Sequence, residues 1–227
     1  MRARASIAAF IATVIAAVAL ATASSAHAVP ANIIAGAPSP PAPDANVFNP
    51  TTYTHDAGTI ANMTWAAGGS HNVTGTVSGA DGKPIMSSDT IGSGVTAVKG
   101  SQYLPIGSYP FICTIHFGMN GTLNVNAGTP LPRPAIAVKL ASKGIDKVAK
   151  KGKVNVKVTL TGAEPATVTL KLGKLPLGTR DTNKSGTLAI PISNAGKTAI
   201  GRKSKATITI DATVPFGSPV KATGKLK

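Results

Sequence analysis

Four side chains carry the chemistry this sequence offers. The only cysteine, Cys113, is followed by His116 and Met119 in the stretch YPFICTIHFGMNGTLNV, residues 109 to 125. A thiolate, an imidazole and a thioether within seven residues are the donors that soft, thiophilic copper prefers. One further imidazole is needed, and His71, in GGSHNVTG, is the candidate. His71, Cys113 and His116, with Met119 as a weak fourth donor, make the ligand list of a blue-copper electron-transfer site. Zinc is the chemical rival. Structural zinc takes four strong ligands, whereas three are present here beside a thioether that zinc does not favour. Taken singly, each residue has a plainer explanation. Cys113 is a small buried hydrophobe, Met119 a core filler and His71 a turn residue.

The set needs particular elements to position it. Cys113 is expected at the end of a strand, with its side chain facing inward. The next six residues form a loop that returns His116 and Met119 to the same point, and Gly118 and Gly121 permit the tight path. His71 is expected at the start of a different strand on the facing side of a sandwich.

These residues resemble the copper loop of the cupredoxins, the plastocyanin/azurin superfamily. The Cys-x2-His-x2-Met spacing is most similar to amicyanin-like bacterial proteins. GSHNV is similar to the segment of the first ligand, and LPIGSYPFIC to the strand that approaches the cysteine. The resemblance covers about residues 30 to 127. It implies a Greek-key β-sandwich holding one type 1 copper through His71, Cys113, His116 and Met119, with a redox partner docking at an apolar patch near His116. It also implies that the Asn72 side chain ties the His71 segment to the loop containing Thr114, while the Asn72 backbone N–H is aimed at the Cys113 sulfur. Many relatives carry proline two residues after the cysteine, where this chain has Ile115. An Ile115 N–H donated to the sulfur is expected to lower the reduction potential.

Short strands surround the motif. TIANMTW, HNVTGTV, VTAVKG, SYPFICTI and GTLNVNA read as strands separated by turns such as the Asp-Gly of GADGKP. Trp65, Met63 and Met86 read as core. His55, in TYTHDAG, reads as a solvated loop histidine beside Asp56. The prolines of APSPPAPDANVFNP and of residues 128 to 134 mark extended segments. Beyond them AIAVKLA, KVNVKVTLT, ATVTLKL, GTLAIPI, KATITIDATV and PVKATGK alternate apolar with Lys or Thr, as strands with one wet face do. GIDKVAKKGK reads as a loop or a single helical turn. The expected architecture is all-β: a leader over residues 1 to 28, a copper-binding sandwich over 29 to 127, a linker over 128 to 134, and an immunoglobulin-like sandwich over 135 to 227.

MRARAS followed by an apolar run from Ile7 to Ala23 reads as a secretory signal, with Ala26 and Ala28 at the cleavage positions and His27 lost with it. The protein is therefore expected to be exported: periplasmic, cell-surface or secreted. A lone thiol there is prone to oxidation unless a metal holds it. Charge is lopsided. Residues 29 to 134 carry a net −1, whereas 135 to 227 carry 18 Lys or Arg against four acids. That basic half is expected to attract polyanions, namely anionic envelope polymers or phospholipid head groups. Phe216 is its only aromatic residue, which argues against stacking on nucleic-acid bases. No Ser-His-Asp set, paired carboxylates or phosphate loop is visible and acids are sparse, which argues against a hydrolase; the resemblance to a lone cupredoxin domain implies a carrier of electrons rather than an enzyme. Storage or delivery of copper, or a structural envelope role with a vestigial site, are the alternatives.

Overall fold

The computed structural model describes residues 28–36 and 46–227. The leader therefore lies outside the described residues except for Ala28, as does part of the proline-rich segment that follows. Among the described residues, no helix is long and apolar enough to cross a membrane.

The chain is all-β and folds into sandwiches. The first half contributes β1 (Asn32–Ala35), β2 (Thr52–Ala57), β3 (Ala61–Trp65), β4 (Thr74–Gly75), β5 (Val95–Val98), β6 (Gly107–Ile112) and β7 (Asn120–Gly128). One sheet has the order β1-β3-β5 and the other β2-β7-β6-β4. The β1–β3 and β2–β7 pairs are parallel, so each edge strand enters from a distant part of the chain. The two sheets share one core. Ile33, Met63 and Val98 from the first sheet pack in one cluster with Tyr53, Phe111 and Leu123 from the second. Phe111 sits at its centre, edge-on to Phe48 with ring centroids 4.9 Å apart. Burying such a ring contributes about 1.5–3 kcal/mol. It lies two residues before Cys113 and anchors the strand that presents the thiol.

The second half contributes β8 (Ala135–Leu140), α1 (Ile145–Lys151), β9 (Lys153–Thr161), β10 (Ala166–Leu172), β11 (Leu175–Thr182), β12 (Gly186–Pro191), α2 (Asn194–Gly201), β13 (Ala206–Thr213) and β14 (Val220–Leu226). Its sheets run β12-β9-β8 and β11-β10-β13-β14. Alternation decides the faces. In β9, Val154, Val156 and Val158 point into an aliphatic core, while Lys153, Lys157 and Thr159 face water. α1 stops at Gly152, whose φ of 63° is the left-handed turn that glycine accepts readily.

Several local expectations need correction. HNVTGTV is not a continuous strand. His71 forms only an isolated bridge to Ile91, and ladder pairing is confined to Thr74–Gly75. Its backbone bonds go mainly to the 85–91 segment, with Ser88 N donating to Val73 O and Gly75 N to Met86 O. β2 and β11 carry weak signals, because TYTHDA is polar and LPLGTRDT contains Pro and Gly. α1 is a helix of seven residues, about two turns, longer than the loop or single helical turn expected there. α2 was not expected at all, although Ser193 caps it by accepting from the Gly196 N–H at 3.1 Å. Trp65 is half-buried rather than core. Met63 and Met86 are fully buried.

His55 departs furthest from its expectation. It lies in β2, fully buried, and its Nδ1 accepts the Ala31 N–H at 3.1 Å. Beside it Asp56 Oδ2 accepts the Val29 N–H at 2.8 Å. Burial pushes the His55 pKa below its ordinary 6.5, outweighing the upward pull of bonds involving Thr59 and Ser101 and of the Asp56 charge. Below pH 6.5 the unfolded chain therefore takes up a proton that the folded chain refuses, so stability falls as pH drops from that value. Urea unfolding at pH 7.5 and 5.0 should show this loss. It should be smaller in His55→Asn, whose side-chain oxygen can still accept from Ala31. An unchanged pH slope in that variant would remove His55 as the cause.

Candidate metal centre

Cys113 follows directly on β6, and β7 begins at Asn120. The loop between them is closed by its own backbone. Cys113 N–H donates to Met119 O at 2.9 Å, and Met119 N–H to His116 O at 3.3 Å. Gly118 supplies the positive φ of 77° that this path requires. The loop thus turns Cys113 and Met119 inward, both nearly fully buried, and leaves His116 half-exposed.

His71 arrives from the other side, fully buried. Its Nε2 lies 3.0 Å from Ala67 O. A carbonyl only accepts, so Nε2 carries the proton and Nδ1 keeps a bare lone pair. That Nδ1 is buried with no hydrogen-bond partner. Buried polar atoms are nearly always paired, so an orphan acceptor asks for a ligand. Burial depresses the His71 pKa, and the nearby His116 depresses it further against the opposing bond to Ala67, so the ring is held neutral and ready to donate.

The donors converge. One ligand atom each from His71, Cys113 and His116 lie within 4.8 Å of one another. Cys113 Sγ is 3.6 Å from His116 Nδ1, and the two imidazole centroids are 4.7 Å apart. Ligands about 2.0–2.3 Å from one ion and about 120° apart would sit about 3.7 Å from each other. The sulfur–nitrogen separation matches that figure. Met119 lines the same surface hollow as Cys113 and His116.

Outer contacts hold these ligands. Asn72 Nδ2 donates to Thr114 Oγ1 at 2.8 Å and to Thr90 Oγ1 at 3.1 Å, while Asn72 Oδ1 accepts the Thr114 N–H at 2.9 Å. One side chain therefore clasps two segments 42 residues apart. Sequence reasoning missed three further supports. Ala67 orients His71 through its carbonyl. Gly69 backs His116, because a Cβ there would lie 3.5 Å from His116 Nε2. Trp65 holds Gly69 by donating Nε1–H to its carbonyl at 2.8 Å. Only Trp65 carries a side-chain signal; the other two act through backbone. The expected donations to sulfur from Asn72 N–H and Ile115 N–H are not among the hydrogen bonds of this site. Ile115 is instead 48% exposed, and with Ile112 and the fully exposed Phe117 it forms an apolar rim around His116.

No family model matches this chain, and no curated protein is similar to it. Among solved structures, it is similar to a DUF3823 family protein from Parabacteroides merdae, 13% identical over 87% of this chain and 98% of that one, with a TM-score of 0.28. The plastocyanin/azurin assignment is corrected accordingly: no family model or curated protein supports it, and the solved structure named above belongs to a different family. The physical reason is that a few soft donors at a strand end are a solution any β-sandwich can reach, so the motif carries ligand chemistry without carrying descent.

The geometry therefore has to speak for itself. A buried neutral imidazole, a buried thiol and a half-exposed imidazole meet at one point, backed by a thioether. That donor set suits a soft or borderline metal ion.

Proposed function

We propose that this chain is an exported copper protein that carries one electron at a time, using His71, Cys113 and His116 as ligands and Met119 as a weaker fourth. The observation that carries the proposal is the orphaned, deprotonated Nδ1 of His71, buried beside Cys113 Sγ and His116 Nδ1. Copper bound by thiolate, imidazole and thioether supplies one-electron redox chemistry near neutral pH. The remaining work belongs to the protein. Ala67 locks the tautomer of His71. Asn72 ties its segment to the ligand loop, so ligand positions are held whatever the charge at the site. His116 reaches the surface through the rim of Ile112, Ile115 and Phe117, where a redox partner gains apolar contact at little desolvation cost.

Copper(II) titration should saturate at one equivalent and raise an intense absorption at roughly 600 nm from thiolate-to-metal charge transfer. Protein-film voltammetry should then give one reversible one-electron wave at constant copper content. A wave that decays as copper passes to an acceptor protein would reassign the chain to copper delivery.

A further inference from the structure

The sheet β12-β9-β8 turns a face of lysines to solvent. Lys139 in β8 and Lys157 in β9 are direct cross-strand partners, and Lys153 lies on the same face of β9. Next to them a hollow of about 510 Å³ opens between α1 and the sheet, lined by Lys143, Lys147, Lys151 and Lys153. All six are exposed. Its floor is rigid, because Ala141 and Ser142 N–H both donate to Asn155 O, and Asn155 N–H donates to Ser142 Oγ at 2.8 Å. Among the described residues the one ion pair is Lys171 with Asp211, on the other sheet. None of these six lysines forms an ion pair; the acids nearest the hollow are Asp146, on α1, and the Lys227 carboxyl oxygen, which accepts the Ile145 N–H at 3.0 Å. Like charges set directly opposite each other across strands destabilise a sheet, and neither Lys139 nor Lys157 has an ion-pair partner to offset that cost.

We infer that this face binds a linear phosphate polymer, whose successive charges lie along Lys139, Lys157 and Lys153 and enter the hollow. Two observations narrow the choice among polyanions by setting bilayers and stacked bases aside. Every exposed large hydrophobic side chain of the described residues lies before residue 132, so the basic half offers nothing to insert into a bilayer. Its only aromatic residue, Phe216, stacks near Tyr103 at 6.0 Å on the first half, so nothing on the lysine face can stack on bases. What remains is charge in a concave, base-free and lipid-free setting, which suits a flexible chain of phosphates. The inference is independent of metal loading.

Long-chain inorganic polyphosphate is the probe, with the whole exported chain and fluorescence anisotropy as readout. Affinity should fall as salt rises. The triple variant Lys139→Gln/Lys153→Gln/Lys157→Gln should bind at least about tenfold more weakly, since each lysine near an anionic surface is worth several-fold in affinity. Lys203→Gln/Lys205→Gln/Lys225→Gln removes the same charge elsewhere in the module and should lose much less. Polyphosphate should also raise the melting temperature of the native chain, and raise that of the first triple much less. Without polyphosphate, Lys157→Gln alone should melt higher than the native chain, because the opposed charges are relieved. Equal losses in the two triples would reduce the effect to net charge and overturn the site. Phosphatidylglycerol vesicles binding as tightly as polyphosphate at equal salt would overturn the choice of a polymer.

Discussion

Replacing Cys113 with serine should erase the visible band of the copper-loaded protein while leaving the β-sheet spectrum intact. The band arises from a thiolate donating into Cu(II), and serine offers a hydroxyl that stays protonated and holds its electrons too tightly to absorb at that energy. The geometry makes the result specific, because Cys113 is the only cysteine and no second sulfur anion can substitute. Copper affinity should fall as well. Losing an outer partner of a metal ligand already costs roughly 10–100-fold, and losing the ligand itself should cost at least that. The fold should tolerate the change, since serine is close to cysteine in size and its hydroxyl can use the nearby His116 Nδ1, 3.6 Å from the present sulfur. A band of native intensity in Cys113→Ser would show that the sulfur is not a ligand, and the proposed function would fail with it.

Gly36→Ala should be among the most damaging single substitutions in the first half, although it lies far from the ligands in sequence. Gly36 follows β1 with φ +97°, and a Cβ there would stand 2.1 Å from Ala67 O and 2.5 Å from Ala67 N. A side chain in that left-handed conformation costs roughly 1–2 kcal/mol by itself. The close contact adds to this, because the obstacle is backbone and cannot rotate away. A total near 3 kcal/mol, read from urea unfolding, is expected. Ala67 O is also the acceptor for His71 Nε2–H, so displacing it releases the ring that carries the orphaned Nδ1 and weakens copper binding. Gly118→Ala is the comparison. Its φ is +77°, yet nothing lies within 4 Å of the added Cβ, so only the conformational cost remains. Equal losses of stability in the two variants would mean that Ala67 is not displaced.

Much of the β architecture follows from the sequence alone. β9, β10 and β13 announce themselves because a strand buried on one face must alternate, and KVNVKVTLT, ATVTLKL and KATITIDATV do so without interruption. Strands with mixed signals escape that reading. TYTHDA alternates too, but its buried positions are Tyr53, His55 and Ala57 rather than aliphatic side chains, so a buried histidine passes for a loop residue.

Cys113, His116 and Met119 are local, and residue types within one turn of chain declare their chemistry wherever they occur. By itself the sequence therefore determined the soft donor set, the all-β class and the basic second half. Tertiary structure alone decided whether His71 would meet the other donors, because nothing within its own neighbourhood specifies a contact 42 residues away. It also decided the tautomer of that ring, since Ala67 acts through a carbonyl and every residue has one. Strand register did the same for Lys139 and Lys157, ordinary surface lysines in sequence, set face to face only because β8 and β9 pair as they do. In each case the deciding quantity is a backbone direction or a long-range register, and neither leaves a mark on residue type.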